Sequence, residues 1–430
     1  MSSFLEIISD DPLFQKLEQK IIHSIVNASS MAEAFANFRR MESLIPEWKF
    51  IFAANSGPAP GLAINKFFSH GAAVISPFAS DRVLVLDGAT LRDMDTLGQA
   101  KFQLDYSIAL DTQAMSYLVS FLGSGSNSLP KDMQEVFSFL AQDHVMTDPM
   151  PYVIENLERI DSDENRFKII GNIEAYQHLR TIDASYYSKH GVVQSKLSAH
   201  ELKLEAENFV NEIWTNPKLA DLVRTAQSRQ KTMLVILLKT VTIQLLHSEW
   251  SLQKKMRELL NFMNDRLSCM LQREAIIACK YFQNGQNFSF FGRMQRNQPL
   301  PKILAELSGM SWDYWHIHHI EETMNQRPES EARYFFAALL TFDKRYIELL
   351  TSCPLRAYVS KDGRAAFHSY YSGSMFGAGS ESFETEFQTR YYSEIAVTSR
   401  FANMGRPWLD ARLPGLEAEL IAQLATVCKP

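Results

Sequence analysis

The sequence predicts an α/β protein, rich in helix, with a core of parallel strands. Two short runs, VLVLDG at 83–88 and DYSIALDT at 105–112, are β-branched and apolar, and each closes on or beside an aspartate. Between Pro299 and Val359 the segments FFAALLTFD, an amphipathic stretch and LRAYVS follow one another as strand, helix and strand, an alternation that implies parallel pairing. From Ser198 to Phe282 the spacing of apolar residues is helical, broken only at Pro217.

Taken in order, residues 1–45 carry apolar groups at helical intervals and predict two amphipathic helices, with Ser30 suited to capping the second. The turn cluster Ser56, Gly57, Pro58, Pro60 and Gly61 then predicts a loop. Asp111 and Thr112 fall at the carboxyl end of a strand and the start of a helix, where open α/β sheets keep their chemistry. Residues 123–200 open on GSGSNS and continue as polar, mostly helical pieces broken by Pro130, Pro149 and Pro151. The aromatic, glycine-rich stretch from Phe367 to Phe387 predicts a surface loop, in which Tyr370 and Tyr371 could stack on bases. An amphipathic helix near Leu416–Val427 closes the chain.

These pieces predict a mostly helical N-terminal region with a short strand (1–100), a first part of the core (101–125), a helical insertion (126–265), a second part of the core (266–360), and a C-terminal aromatic loop and helix (361–430). The four cysteines form no CxxC pair, which excludes a disulfide framework and a cysteine-built zinc site. An acidic N-terminus without a long apolar stretch, and an apolar window at Met233–Leu246 that is short and carries Lys239, predict a cytoplasmic protein with no membrane partner. A net charge of −6 leaves nucleic-acid binding to local patches, for which the cations between Arg224 and Lys280 are candidates. No GxSxG elbow, phosphate loop or dinucleotide fingerprint is found.

The order of acidic motifs carries a resemblance. ALDTQ, then SWD at an expected helix start, then LLTFDKRYIELL resembles the order in the PIN-type nucleases. In that family a strand ends in Asp-Thr or Asp-Ser, a middle helix supplies a glutamate, a later helix begins with an aspartate, and a strand ends in Thr/Ser-x-Asp. The resemblance implies a PIN-like α/β/α core with a parallel sheet, a large helical insertion and an N-terminal helical region. It implies Asp111, Asp313 and Asp343 as metal ligands and catalytic groups, with Glu274 in LQREAIIACKYF as the fourth carboxylate. Thr112 and Thr341 would orient the carboxylates. The implied cofactor is Mg²⁺ or Mn²⁺, the implied activity endoribonuclease cleavage of single-stranded RNA or tRNA. The family often acts as a toxin or in phage defence, under an antitoxin or other regulatory protein.

Physical chemistry runs parallel to the resemblance. Carboxylates converging from separate strand and helix ends repel one another unless a hard cation neutralises them. Each aspartate alone would equally suit a turn or a helix cap. Asp87 and Asp105 could stand in for Asp111, although Asp87-Gly88 reads better as a turn. The helix WDYWHIHHIEETM offers His318 with Glu322, or His316 with His319, on one face, a conceivable zinc or iron site that lacks the HExxH order. The alternative from a different class is a non-catalytic helical interaction or regulatory protein that keeps a degenerate PIN-like core for docking.

Overall fold

The computed structural model describes residues 12–54, 65–78, 80, 82–123, 129–157, 160, 162–326, 328, 332–361, 367–376, 381–403 and 406–429. The turn cluster at 56–61, most of GSGSNS and residues 377–380 of the aromatic stretch lie outside them.

Helices α1 (Pro12–Val26) and α2 (Met31–Met41) open the fold, the second capped by Ser30 as expected. They pack Ile22, Ile25, Ala34 and Phe38 on strand β1 (Trp48–Ala54). Strands β2 (Asn65–Phe67), β3 (Ala73–Ile75) and β4 (Arg82–Leu86) follow, then helix α3 (Gly88–Leu97). The region expected to be mostly helical with one short strand therefore holds four strands among its described residues. WKFIFAA is apolar on consecutive residues, so it lacks the alternation that marks a half-exposed strand, and it is buried on both faces.

The first part of the core is β5 (Gln103–Leu110) with α4 (Thr112–Leu122) and α5 (Met133–Leu140). A two-residue strand β6 (Thr147–Asp148) and helix α6 (Met150–Asn156) come next. Helices α7 (Asp163–Arg180), α8 (Ala184–His190), α9 (Ala199–Thr215), α10 (Pro217–Leu246), α11 (Leu252–Asn261) and α12 (Gln272–Asn284) form the long helical tract. Pro217 starts α10 rather than breaking a helix, because Asn216 caps it and a proline in the first turn lacks only an N–H that would be unpaired anyway.

Helix α13 (Leu300–Thr323) precedes β7 (Ala332–Thr341), α14 (Lys344–Ser352), β8 (Leu355–Lys361) and β9 (Phe367–Tyr371). The chain ends in α15 (Glu381–Tyr391), α16 (Glu394–Asn403) and α17 (Arg406–Ala425). The aromatic stretch is thus a strand and a helix where a surface loop was expected. Its Tyr371 hydroxyl donates to the buried Glu321 at 2.9 Å, and the Tyr370 ring packs against the N-terminal core, so neither ring stands free to stack on a base.

Two sheets result. The first has the order β2-β3-β7-β5-β6, with β6, β5 and β7 parallel, β3 antiparallel to β7 and β2 antiparallel to β3. The second has the order β4-β1-β8-β9, wholly antiparallel. The fold is α/β with mixed sheets, and the expected parallel partnership of β8 with β7 is replaced by membership of the other sheet. Helices α4–α9 cover one face of the first sheet, and α10 to α14 with α17 build a larger core on the other. No helix among the described residues is long and apolar enough to cross a membrane.

Candidate active site

Parallel pairing places the site. β5 aligns with β7 through Ala109 opposite Leu339 and Leu110 opposite Leu340, and with β6 through Ala109 opposite Asp148. The three strands therefore end level, and the residues that follow them, Asp111, the β6–α6 junction, and Thr341 to Asp343, share one edge of the sheet. A cleft of about 600 Å³ opens there, lined by Asp111, Thr112, Glu155, Asp313, His316, Thr341, Asp343 and Arg345.

Asp111 caps α4, its Oδ1 accepting from the Ala114 amide at 2.7 Å. Burial pushes its carboxyl up to about 7, and the charges of Glu155 and Asp343 add to the rise against the stabilising amides of Ala114 and Gln113. Asp313 is raised well above the carboxylate range, by burial first and then by the charges of Asp111, Asp343 and Glu155. Asp343 behaves oppositely. Burial would raise it, but Arg345 outweighs that and lowers it, donating from its backbone amide at 2.8 Å and its guanidinium at 2.7 Å. Thr341, fully buried, accepts from the Asp343 amide at 3.1 Å and so sets the turn that aims that carboxylate.

Asp313 does not begin a helix. Gly309-Met310-Ser311 suggests a break, but α13 runs through it, with the Ser311 hydroxyl donating to the Ser308 carbonyl at 2.7 Å and accepting from Gln230 of α10 at 2.6 Å. Asp313 consequently reaches the cleft from mid-helix, and the Tyr346 hydroxyl bonds its backbone carbonyl at 3.0 Å.

Glu274 is not part of the cleft. It is 1 % exposed on α12 and meets Nε2 of His318 at 2.7 Å, on another face of α13 from Asp313. Burial would raise its carboxyl, yet the His318 cation holds it below its ordinary value. Beside it Arg273 pairs with Glu321, so these four groups form a buried ionic layer. Sequence reasoning passed over two carboxylates of the cleft, Glu306 on α13, which pairs with Arg293, and Glu155 on α6. Oε2 of Glu155 accepts from the Thr112 hydroxyl at 2.7 Å, and Asn156 donates to that same hydroxyl at 2.9 Å. The available signal for Glu155 was the TDPMPYVIEN segment, in which Asp148 ends a strand too short to be recognised by alternation.

The competing histidine pairs separate. His318 is taken by Glu274, Glu322 by Arg229, and His319 stacks on Trp315 at 4.8 Å. Asp87 caps α3 and accepts from the Tyr334 hydroxyl, away from the cleft. The cations expected to hold phosphates are largely committed elsewhere: Arg229 to Glu322, Lys239 to Glu258, Arg257 to Glu386, Arg266 to Glu419 and Arg273 to Glu321. At the cleft itself stand Lys302, exposed at the rim, and Arg345, which also lies 3.9 Å from Glu306.

The donor set suits a hard divalent cation in number and type, and two of its members are destabilised as anions by one another. Among the described residues no three side chains already converge to the spacing of a metal cage. Asp111 and Asp343 are instead turned into a helix cap and an ion pair. Compared with protein-family models, with curated proteins and with solved structures, the chain matches none.

Proposed function

We propose that the cleft is the active site of a Mg²⁺- or Mn²⁺-dependent nuclease acting on RNA phosphodiesters. The observation that carries this reading is the meeting of Asp111, Glu155, Asp313 and Asp343, from four separate elements, at the level ends of three parallel strands. Their order resembles that of PIN-type nucleases, with Glu155 rather than Glu274 in the position of the middle-helix glutamate. The choice of RNA rests on that resemblance.

Asp111, Glu155, Asp313 and Asp343 would hold the cation, which supplies charge neutralisation at the phosphate and a more acidic bound water. Thr112 fixes the rotamer of Glu155, and Thr341 fixes the turn that presents Asp343. Arg345, displaced from Asp343 when that carboxylate turns to the cation, can bind a phosphate oxygen with its planar fork. Lys302 at the rim would meet the flanking phosphate as a point charge.

The Asp343–Arg345 ion pair favours a second reading, a docking protein whose acidic cleft is internally neutralised. Cleavage of a pool of labelled RNAs and single-stranded DNA in Mn²⁺, Mg²⁺ and EDTA separates the two. Cutting that needs the ion and is lost in Asp111→Asn and Asp313→Asn, but kept in Glu274→Gln, is the expected result. Folded protein that cuts nothing in any ion would leave the docking reading.

A further inference from the structure

His316 lies three residues beyond Asp313 on α13, so the two side chains project from one face of the helix. The residue is 3 % exposed and lines the cleft, walled by Trp312 and Trp315. Neither of its ring nitrogens has a hydrogen-bond partner. Buried nitrogen of this kind is costly and uncommon, and in a polar cleft it is completed by an ordered water or an ion. Nε2 stands 3.6 Å from Oε2 of Glu155, too far for a hydrogen bond. It is close to the separation of two adjacent ligands on one ion, about 3–3.5 Å for donors each ~2.1 Å from the metal.

We propose that His316 is a nitrogen ligand of the ion held by Asp313 and Glu155, so that the site takes a first-row transition cation such as Mn²⁺ in preference to Mg²⁺. The proposal rests on the metal-site reading given above and adds the identity of the ion. Mg²⁺ keeps its waters and asks for oxygen donors in a strict octahedron, whereas an imidazole among carboxylates suits the transition ions. His318 and His319 are excluded from the role by their own partners, Glu274 and the Trp315 ring.

The test is pulsed electron paramagnetic resonance of Mn²⁺-loaded full-length protein, with calorimetric titration of Mn²⁺ and Mg²⁺ alongside. Imidazole-nitrogen coupling is expected in the wild type and in His319→Gln, and not in His316→Gln. The same variant should lose about tenfold or more in Mn²⁺ affinity, with Mg²⁺ affinity nearly unchanged. His316→Asp, which returns an oxygen donor, should move the preference toward Mg²⁺. Mn²⁺ bound in a manner that Asp313→Asn abolishes, yet without nitrogen coupling in the wild type, would overturn the proposal and leave the acidic site standing. Failure of the wild type to bind either ion would overturn both. The wild-type spectrum decides even if a substitution at this buried position prevents folding.

Discussion

Asp111 serves two purposes that pull its proton in opposite directions. As a helix cap it is stabilised as an anion by the Ala114 amide, while burial and the neighbouring carboxylates favour the neutral acid and bring it up to about 7. The folded chain then binds this proton more tightly than the unfolded chain does, so its contribution to stability is full in acid and is lost as pH rises through about 7. Asp111→Asn keeps a capping side chain and removes the charge. Without divalent ions the variant should be more stable than the wild type at pH 8, by on the order of 2–4 kcal/mol, with the gap closing near pH 4.5 in denaturant melts. Added Mn²⁺ should stabilise the wild type and not the variant. Glu274 makes the contrast. Glu274→Ala strands the buried His318 and should cost about 3–5 kcal/mol, yet leave Mn²⁺ titrations unchanged; a loss of Mn²⁺ binding would return Glu274 to the site.

Elements hold these residues level, and one joint deserves a test. The β2–β3 hairpin borders β7, with Ala73 opposite Thr341, and its turn is pinned from below by Asp132, whose carboxylate accepts from the His70 amide at 2.5 Å and the Ala72 amide at 2.7 Å. Asp132→Ala leaves the buried Ala72 amide and the half-buried His70 amide without their acceptor and should lower stability by about 2–3 kcal/mol, measured by chemical unfolding; a change within error would mean that the sheet alone holds the hairpin. Asp111 and Asp343 were legible in the sequence because each follows a strand and caps the next helix, whereas Asp313 was picked out by motif order alone, the helix start expected for it being the middle of α13. Glu155 was not legible, since the strand that positions it has two residues and no periodicity. The antiparallel second sheet was hidden for another reason. Its strands come from residues 48–54, 82–86, 355–361 and 367–371, and no local pattern announces which distant run will pair with which.

For the molecule as a whole, α10 is the connecting piece. Its 30 residues span about 45 Å. Val223 and Ala226 belong to the core over α4–α9, and Met233 to Leu245 to the larger core on the sheet's other face. Melting should therefore be one transition in calorimetry, with calorimetric and van't Hoff enthalpies agreeing, whereas Thr232→Pro in mid-helix should split it in two. Two transitions in the wild type would show that the helix does not couple the cores. Charge gives a further expectation. With Lys302 and Arg345 as the cations at the cleft and Arg229, Lys239, Arg257, Arg266 and Arg273 paired to carboxylates, the binding of single-stranded RNA should weaken gently with salt, with a log–log slope of about −1 to −2. A much steeper slope would point to a basic surface elsewhere.

The pairing of β5 with β7 also orders events during synthesis. Asp111 and Glu155 leave the ribosome first, while Asp313 and Asp343 follow only after the entire helical tract has been made, which takes roughly 6–24 seconds at ~5–20 residues per second. Until β7 emerges and docks beside β5, the nascent chain carries half of these carboxylates and no closed cleft. On the proposed reading, the chain can neither hold its cation nor cut RNA before β7 has emerged and docked beside β5.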